Sequence, residues 1–133
     1  MHTAYFETVF NVDGFSGPWP TEFAIITAYA TTGETRSLNQ NENANLKLAA
    51  ELSLLSIWKQ RVTGFSPTTG HAEPGWALEL PFEIACDLGL KYRQDAIYYV
   101  TKGSLFVSYC DQRRETIPVA VFWERITALT PKS

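Results

Sequence analysis

At 133 residues the chain has the length of one domain with a single core, because two domains would each have too little apolar surface to bury. A formal charge of −3 and a pI near 5.3 argue against the broad basic surface with which proteins hold a phosphate backbone, so nucleic acid is not an expected partner. Hydrophobic residues at 45% and aromatics at 14%, including four Trp and eight Phe, rule against a disordered body. Cys86 and Cys110 lie far apart and belong to no CxxC or Cys/His cluster, so neither a zinc site nor any other metal or cofactor is expected. Reduced thiols in a cytoplasmic protein are the default. The first five residues lack the basic segment and apolar run of a signal peptide, and no apolar stretch approaches the roughly 20 residues of a membrane span, so no membrane contact is expected.

Taken in chain order, residues 5–12 alternate β-branched and aromatic side chains and predict a strand, with Phe6, Thr8 and Phe10 on one face. Residues 13–20 concentrate Gly, Pro and Ser into a loop that carries Trp19 between two prolines. Phe23 to Tyr29 is a nearly unbroken apolar run of strand length, the pattern of a central strand covered on both faces. After a polar loop at residues 30–37, helical periodicity runs from Asn39 to Ile57, with Ser37 or Asn39 as N-cap. Lys59 to Phe65 predicts a short strand, 66–70 a loop, and Trp76 to Leu80 a strand with one buried face. Pro81 then opens a short helix that Gly89 stops. Strands at 95–100 and 104–110 flank a hairpin turn at Thr101-Lys102-Gly103, and a charged connector at 111–116 precedes a last strand from Ile117 to Ile126. The order β-β-α-β-β-α-β-β-β predicts an α+β fold: a single two-layer domain over residues 1–133, core about 5–126, with a mixed or largely antiparallel sheet and two helices packed on it. Helices on both faces are the alternative, which the apolar 23–29 strand keeps open.

Several segments in this order carry a resemblance. Phe23 to Tyr29, Asn41 and Asn45 with Leu48, His71-Ala72-Glu73-Pro74-Gly75-Trp76, Leu88-Gly89 and Gln94-Asp95-Ala96-Ile97-Tyr98 together resemble the bacterial domain-of-unknown-function family DUF3293, from about Tyr5 to Cys110. The resemblance implies a fold and candidate positions, Thr27 and Tyr29 among them, but no activity. The chain departs from the family pattern at Ala30-Thr31, where Asn-Pro is frequent, at Gln40, where Glu is frequent, and at Arg93, where Gly is frequent.

Asn41 and Asn45 extend the stripe of Leu48, Leu52 and Leu55 in helical register, which points both amides inward. Buried amides need partners. At a helix start that follows a central strand, those partners could be a small polar or anionic ligand drawn by free amides and the helix dipole. The competing reading is that each amide pins the loop backbone. His71 and Glu73 could form an acid/base couple or two metal ligands, provided the segment is extended, and otherwise make an exposed loop pair. Gln94 and Asp95, with Tyr98, could bind a sugar or amide, or simply terminate the preceding helix. Cys86 reads as a core residue, and neither cysteine has a neighbouring base. No phosphate-loop, dinucleotide, hydrolase-elbow or zincin motif is present, so enzymatic activity stays open without positive support. The leading expectation is a domain that binds a small molecule near Asn41, Asn45 and the 30–37 loop, with Thr27, Tyr29, His71, Glu73 and Gln94 as further candidates. The alternatives are a protein-interaction module that uses the Pro18-Trp19-Pro20 loop or an edge strand, and a metal-assisted hydrolase built on His71 and Glu73.

Overall fold

The computed structural model describes residues 1, 3–12, 14, 18–28 and 37–128. Eight strands form one sheet: β1 (Val9–Val12), β2 (Glu22–Thr27), β3 (Lys59–Phe65), β4 (Ala72–Leu78), β5 (Ala96–Thr101), β6 (Ser104–Tyr109), β7 (Ile117–Val121) and β8 (Ile126–Ala128). Two helices, α1 (Leu38–Ser53) and α2 (Phe82–Lys91), complete an α+β fold. The strand order is β7-β6-β5-β2-β4-β3-β1-β8, and the sheet is mixed because β1 and β8 run parallel while the other pairs are antiparallel.

The sheet has to curl. β7 and β8 occupy its opposite edges, yet only residues 122–125 separate them in the chain. Laid flat, eight strands would hold those edges about 34 Å apart, whereas so short a connection reaches at most about 18 Å. The sheet therefore bends into a half-barrel, and the connection, a 3₁₀ turn at Phe122–Glu124, drives Phe122 fully into its interior.

Alternation along the strands gives the sheet two cores. Ala24, Ile26 and Ala28 on β2 and its extension face both helices, meeting Leu48 and Leu52 of α1 and Ala85, Cys86 and Leu88 of α2. Phe23 and Ile25 face the concave side with Phe10, Val62, Tyr98, Val100 and Phe122. The doubly covered strand expected at 23–29 is thus present, with helices outside and the sheet's own curl inside; Tyr29 lies outside the described residues. Trp19 is half-buried against Phe23, Trp58, Phe122 and Trp123, with ring centroids 4.9–5.8 Å apart.

Several boundaries differ from the sequence expectation. Residues 5–12 divide into a 3₁₀ turn at Thr3–Phe6 and the short β1, because the N-terminal turn closes over one end of the half-barrel. α1 is capped by Ser37, whose Oγ accepts the Gln40 N–H while Gln40 Oε1 accepts the Ser37 N–H, a capping box that explains why either Gln or Glu suits position 40. That helix ends at Ser53 rather than Ile57. Its last turn tightens as Leu54 and Leu55 bond three residues back, and Lys59 Nζ binds the Leu55 carbonyl, leaving Leu55 exposed. β4 starts at Ala72, earlier than expected. Pro74 is accommodated because β4 pairs only with β3 there, its pairing with β2 beginning at Gly75. Gly89 is not a helix stop but a close-packing point inside α2, where an added Cβ would lie 2.7 Å from Cys110 Sγ and from Ile97 Cγ2. The stop is Arg93, held at φ 62°. Around it the Gln94 N–H bonds Gly89 O and the Arg93 N–H bonds Leu90 O, the Schellman pattern in which Gly is usual. The last expected strand, 117–126, is broken by the Phe122–Glu124 turn into β7 and β8.

Candidate functional site

At one mouth of the half-barrel the concave face does not close. Gly64 on β3 and Gly75 on β4 line the cavity as diagonal neighbours with no side chain to fill the space. Gly75 has no alternative, since a Cβ there would stand 2.5 Å from the Ile26 carbonyl oxygen. The result is a cavity of about 90 Å³. A site needs only about 10–15 Å³ on this scale to hold one water, so there is room for a small molecule. The floor is apolar, with Phe10, Ile25, Val62 and Ala96; the N-terminal 3₁₀ turn contributes Ala4 and Tyr5 as part of the rim.

Four polar side chains named in the sequence analysis converge at this mouth. The loop from Ser66 to Gly70 folds back through Ser66 N–H to His71 O and Gly70 N–H to Ser66 O, delivering His71 to the start of β4. In that extended strand, positions 71 and 73 share a face. His71 Nε2 lies 2.9 Å from Glu73 Oε2, and Glu73 Oε1 accepts a hydrogen bond from Thr27 Oγ1 at 2.9 Å. Gln94, buried and placed by the Schellman turn after α2, brings Oε1 to 3.2 Å from Thr27 Oγ1 and donates from Nε2 to the Tyr92 carbonyl. A hydroxyl has one proton. The charged carboxylate is the nearer and stronger acceptor, so that proton serves Glu73.

Behind these groups Tyr98 fastens the rim. Its Oη lies 2.8 Å from Tyr5 O and 2.9 Å from Thr8 Oγ1, while Thr8 donates to Ala4 O and Arg125 donates to the carbonyls of Phe6 and Thr8. Burial pushes the Tyr98 and Tyr5 phenols well above their ordinary range, so both act as neutral groups at neutral pH.

Asn41 and Asn45 are not part of this constellation. Both are half-buried on α1, across the sheet from the cavity; the Asn41 N–H continues the helix ladder to Ser37 O, and Asn45 Oδ1 is buried without a hydrogen-bond partner. Asp95 is exposed beside Gln94. His71 and Glu73 gain no third metal ligand, since no group of three or more His, Cys, Asp or Glu side chains that could hold an ion occurs among the described residues. The two cysteines are buried on the helix-covered side and unbridged, and burial holds their thiols high, Cys86 near 11 and Cys110 near 12. Gly64, Gly75, Thr8 and Tyr5 went unnoticed as site residues. A glycine inside a strand pattern signals a bulge or a close approach, and Gly64, inside the strand expected at 59–65, carried that signal; nothing local in the sequence marks Tyr5 as part of a rim.

No helix among the described residues is long and apolar enough to cross a membrane. No curated relative and no solved structure matches the chain. A family model described as protein of unknown function (DUF3293) matches residues 26–97, more than half of the chain and the span that supplies Thr27, His71, Glu73 and Gln94. The chain therefore belongs to the DUF3293 family.

Proposed function

We propose that the protein binds a small polar molecule in the cavity at the mouth of its half-barrel, rather than at the start of α1. The observation that carries this reading is the convergence of Thr27, His71, Glu73 and Gln94 from three separate segments onto one end of a cavity whose floor is apolar. Small-molecule sites have this composition: apolar walls with a few placed polar groups, often in the mouth of a barrel. The two inward glycines leave space that a packed core would fill. Cytoplasmic residence belongs to the same reading, because the two cysteines are unbridged. The interaction-module alternative draws less support, since the Trp19 ring is engaged with four aromatic neighbours of its own chain.

A thermal-shift screen of nucleotides, sugars, amino acids and amines tests the reading. A ligand at about 100 times its Kd stabilises by roughly 2.7 kcal/mol, a shift of several degrees. Gly64→Ala places a methyl 3.3 Å from Thr8 Cγ2 and 3.5 Å from the Phe10 ring, which narrows the cavity beside Thr8 and leaves Thr27, His71, Glu73 and Gln94 unaltered in sequence. The shift should shrink in Gly64→Ala and persist in Asn41→Ala. The opposite pattern would return the site to the helix start.

A further inference from the structure

Resting on the cavity reading, we propose that the ligand carries a protonated amine seated against Glu73, with a short apolar body directed into the half-barrel. Among the described residues that line the cavity there is no Lys or Arg, so an anionic ligand would find no permanent positive charge there, whereas Glu73 supplies a counter-charge to a cation. Its carboxylate is held but not saturated. Oε1 takes the Thr27 proton and Oε2 faces His71, and each oxygen keeps a second lone pair for an ammonium N–H.

The surroundings favour the same sign of charge. The Tyr5 phenol, pushed up first by burial and then by Asp95, lies within the influence of both Asp95 and Glu73, which marks this rim as negative. Arg125 is a cation that faces Tyr98 from beyond the lining, where its guanidinium donates to the carbonyls of Phe6 and Thr8 and does not enter the cavity. The aromatic rings of Tyr5, Phe10 and Tyr98 stand together at the wall, Phe10 edge-on to Tyr98 at 5.1 Å and Tyr5 tilted to it at 6.1 Å. They offer an aromatic wall to the ligand's short apolar body. Size sets the body of the ligand: an apolar cavity of about 150 Å³ accommodates benzene, so the 90 Å³ here suits a chain of a few carbons rather than a ring. His71, whose side chain is 66% exposed, covers Glu73 from the solvent side and is the group a ligand would displace.

The test compares three probes of similar shape, n-butylamine, 1-butanol and butyrate, each titrated into the full chain at neutral pH while the backbone amides of Thr27, Gly64, Gly75 and Gln94 are followed by NMR. The amine should bind about tenfold more tightly than the alcohol, the margin of a charge-assisted over a neutral hydrogen bond, and butyrate should not bind. In Glu73→Gln the amine should lose that advantage over the alcohol; the wild-type ranking stands by itself if the variant does not fold. A ranking in which the alcohol or butyrate equals the amine overturns the amine assignment and leaves the cavity reading intact. Silence from all three probes also overturns the assignment, and the wider screen with Gly64→Ala then decides the cavity separately.

Discussion

The two faces of one sheet have been put to different uses. Toward the helices, the strands present Ala24, Ile26, Ala28, Leu78 and Ile97 against α1 and α2, small and branched side chains that seal completely around Gly89. On the concave side the alternate residues of the same strands include Phe23, Ile25, Tyr98 and Val100, which with Phe10 pack around Phe122, while Gly64, Gly75 and Ala96 leave the mouth open. Because successive strand residues point to opposite faces, one face can be filled for stability while the other is hollowed without loss of register. The hollow then falls where β2 pairing stops at Thr27 and Pro74 leaves the first half of β4 paired on one side only.

Substitutions on the two faces should separate these roles. Phe122→Ala removes the side chain that joins Phe10, Phe23, Trp19 and Trp123, and should cost about 3–5 kcal/mol in denaturant unfolding. It should also disturb amide signals throughout the concave face, since the curl depends on it. Gly89→Ala overpacks the helix-covered face against Cys110 and Ile97 and should cost about 1–3 kcal/mol, while signals at Thr27, Glu73 and Gly75 stay in place. An equal disturbance of both faces by Gly89→Ala would contradict the division. Arg93→Gly should act in the other direction and stabilise by about 1 kcal/mol, because the left-handed backbone that Arg tolerates at a cost is free to glycine.

Alkaline pH acts on the helix-covered face through its thiols, as it acts on the concave face through the raised Tyr5 and Tyr98 phenols. Cys86 and Cys110 keep their protons to about 11 and about 12 in the fold because burial opposes the thiolate, whereas an ordinary thiol ionises near 9.0. Above pH 9 the unfolded chain therefore binds fewer protons than the folded one, and stability falls as pH rises. A variant with both cysteines replaced by Ala should show a shallower decline between pH 9 and 11. An unchanged slope would mean that the thiols do not contribute.

Much of this arrangement was legible in the residues. The apolar run at 23–29 announced a strand covered on both faces, the Ser37 cap and the periodicity announced α1, and the spacing of His71 and Glu73 announced a shared face once the segment was extended. The curl was not legible, because Phe122-Trp123-Glu124 satisfies strand preference as well as it satisfies the 3₁₀ turn that carries the chain from one sheet edge to the other. Without the curl, the distance between Thr27, Glu73 and Gln94 could not be read, and the Asn41 and Asn45 stripe lies across the sheet from the cavity. Helix periodicity shows which way a side chain points, not what lies in front of it.

The most direct test of the central claim is a map of amide chemical shifts on titration with the best compound from the thermal-shift screen. The account predicts saturable changes at Thr27, Gly64, Gly75 and Gln94, with the amides of Asn41 and Asn45 unmoved. Changes centred on the first turns of α1, or spread evenly over the surface, would contradict it.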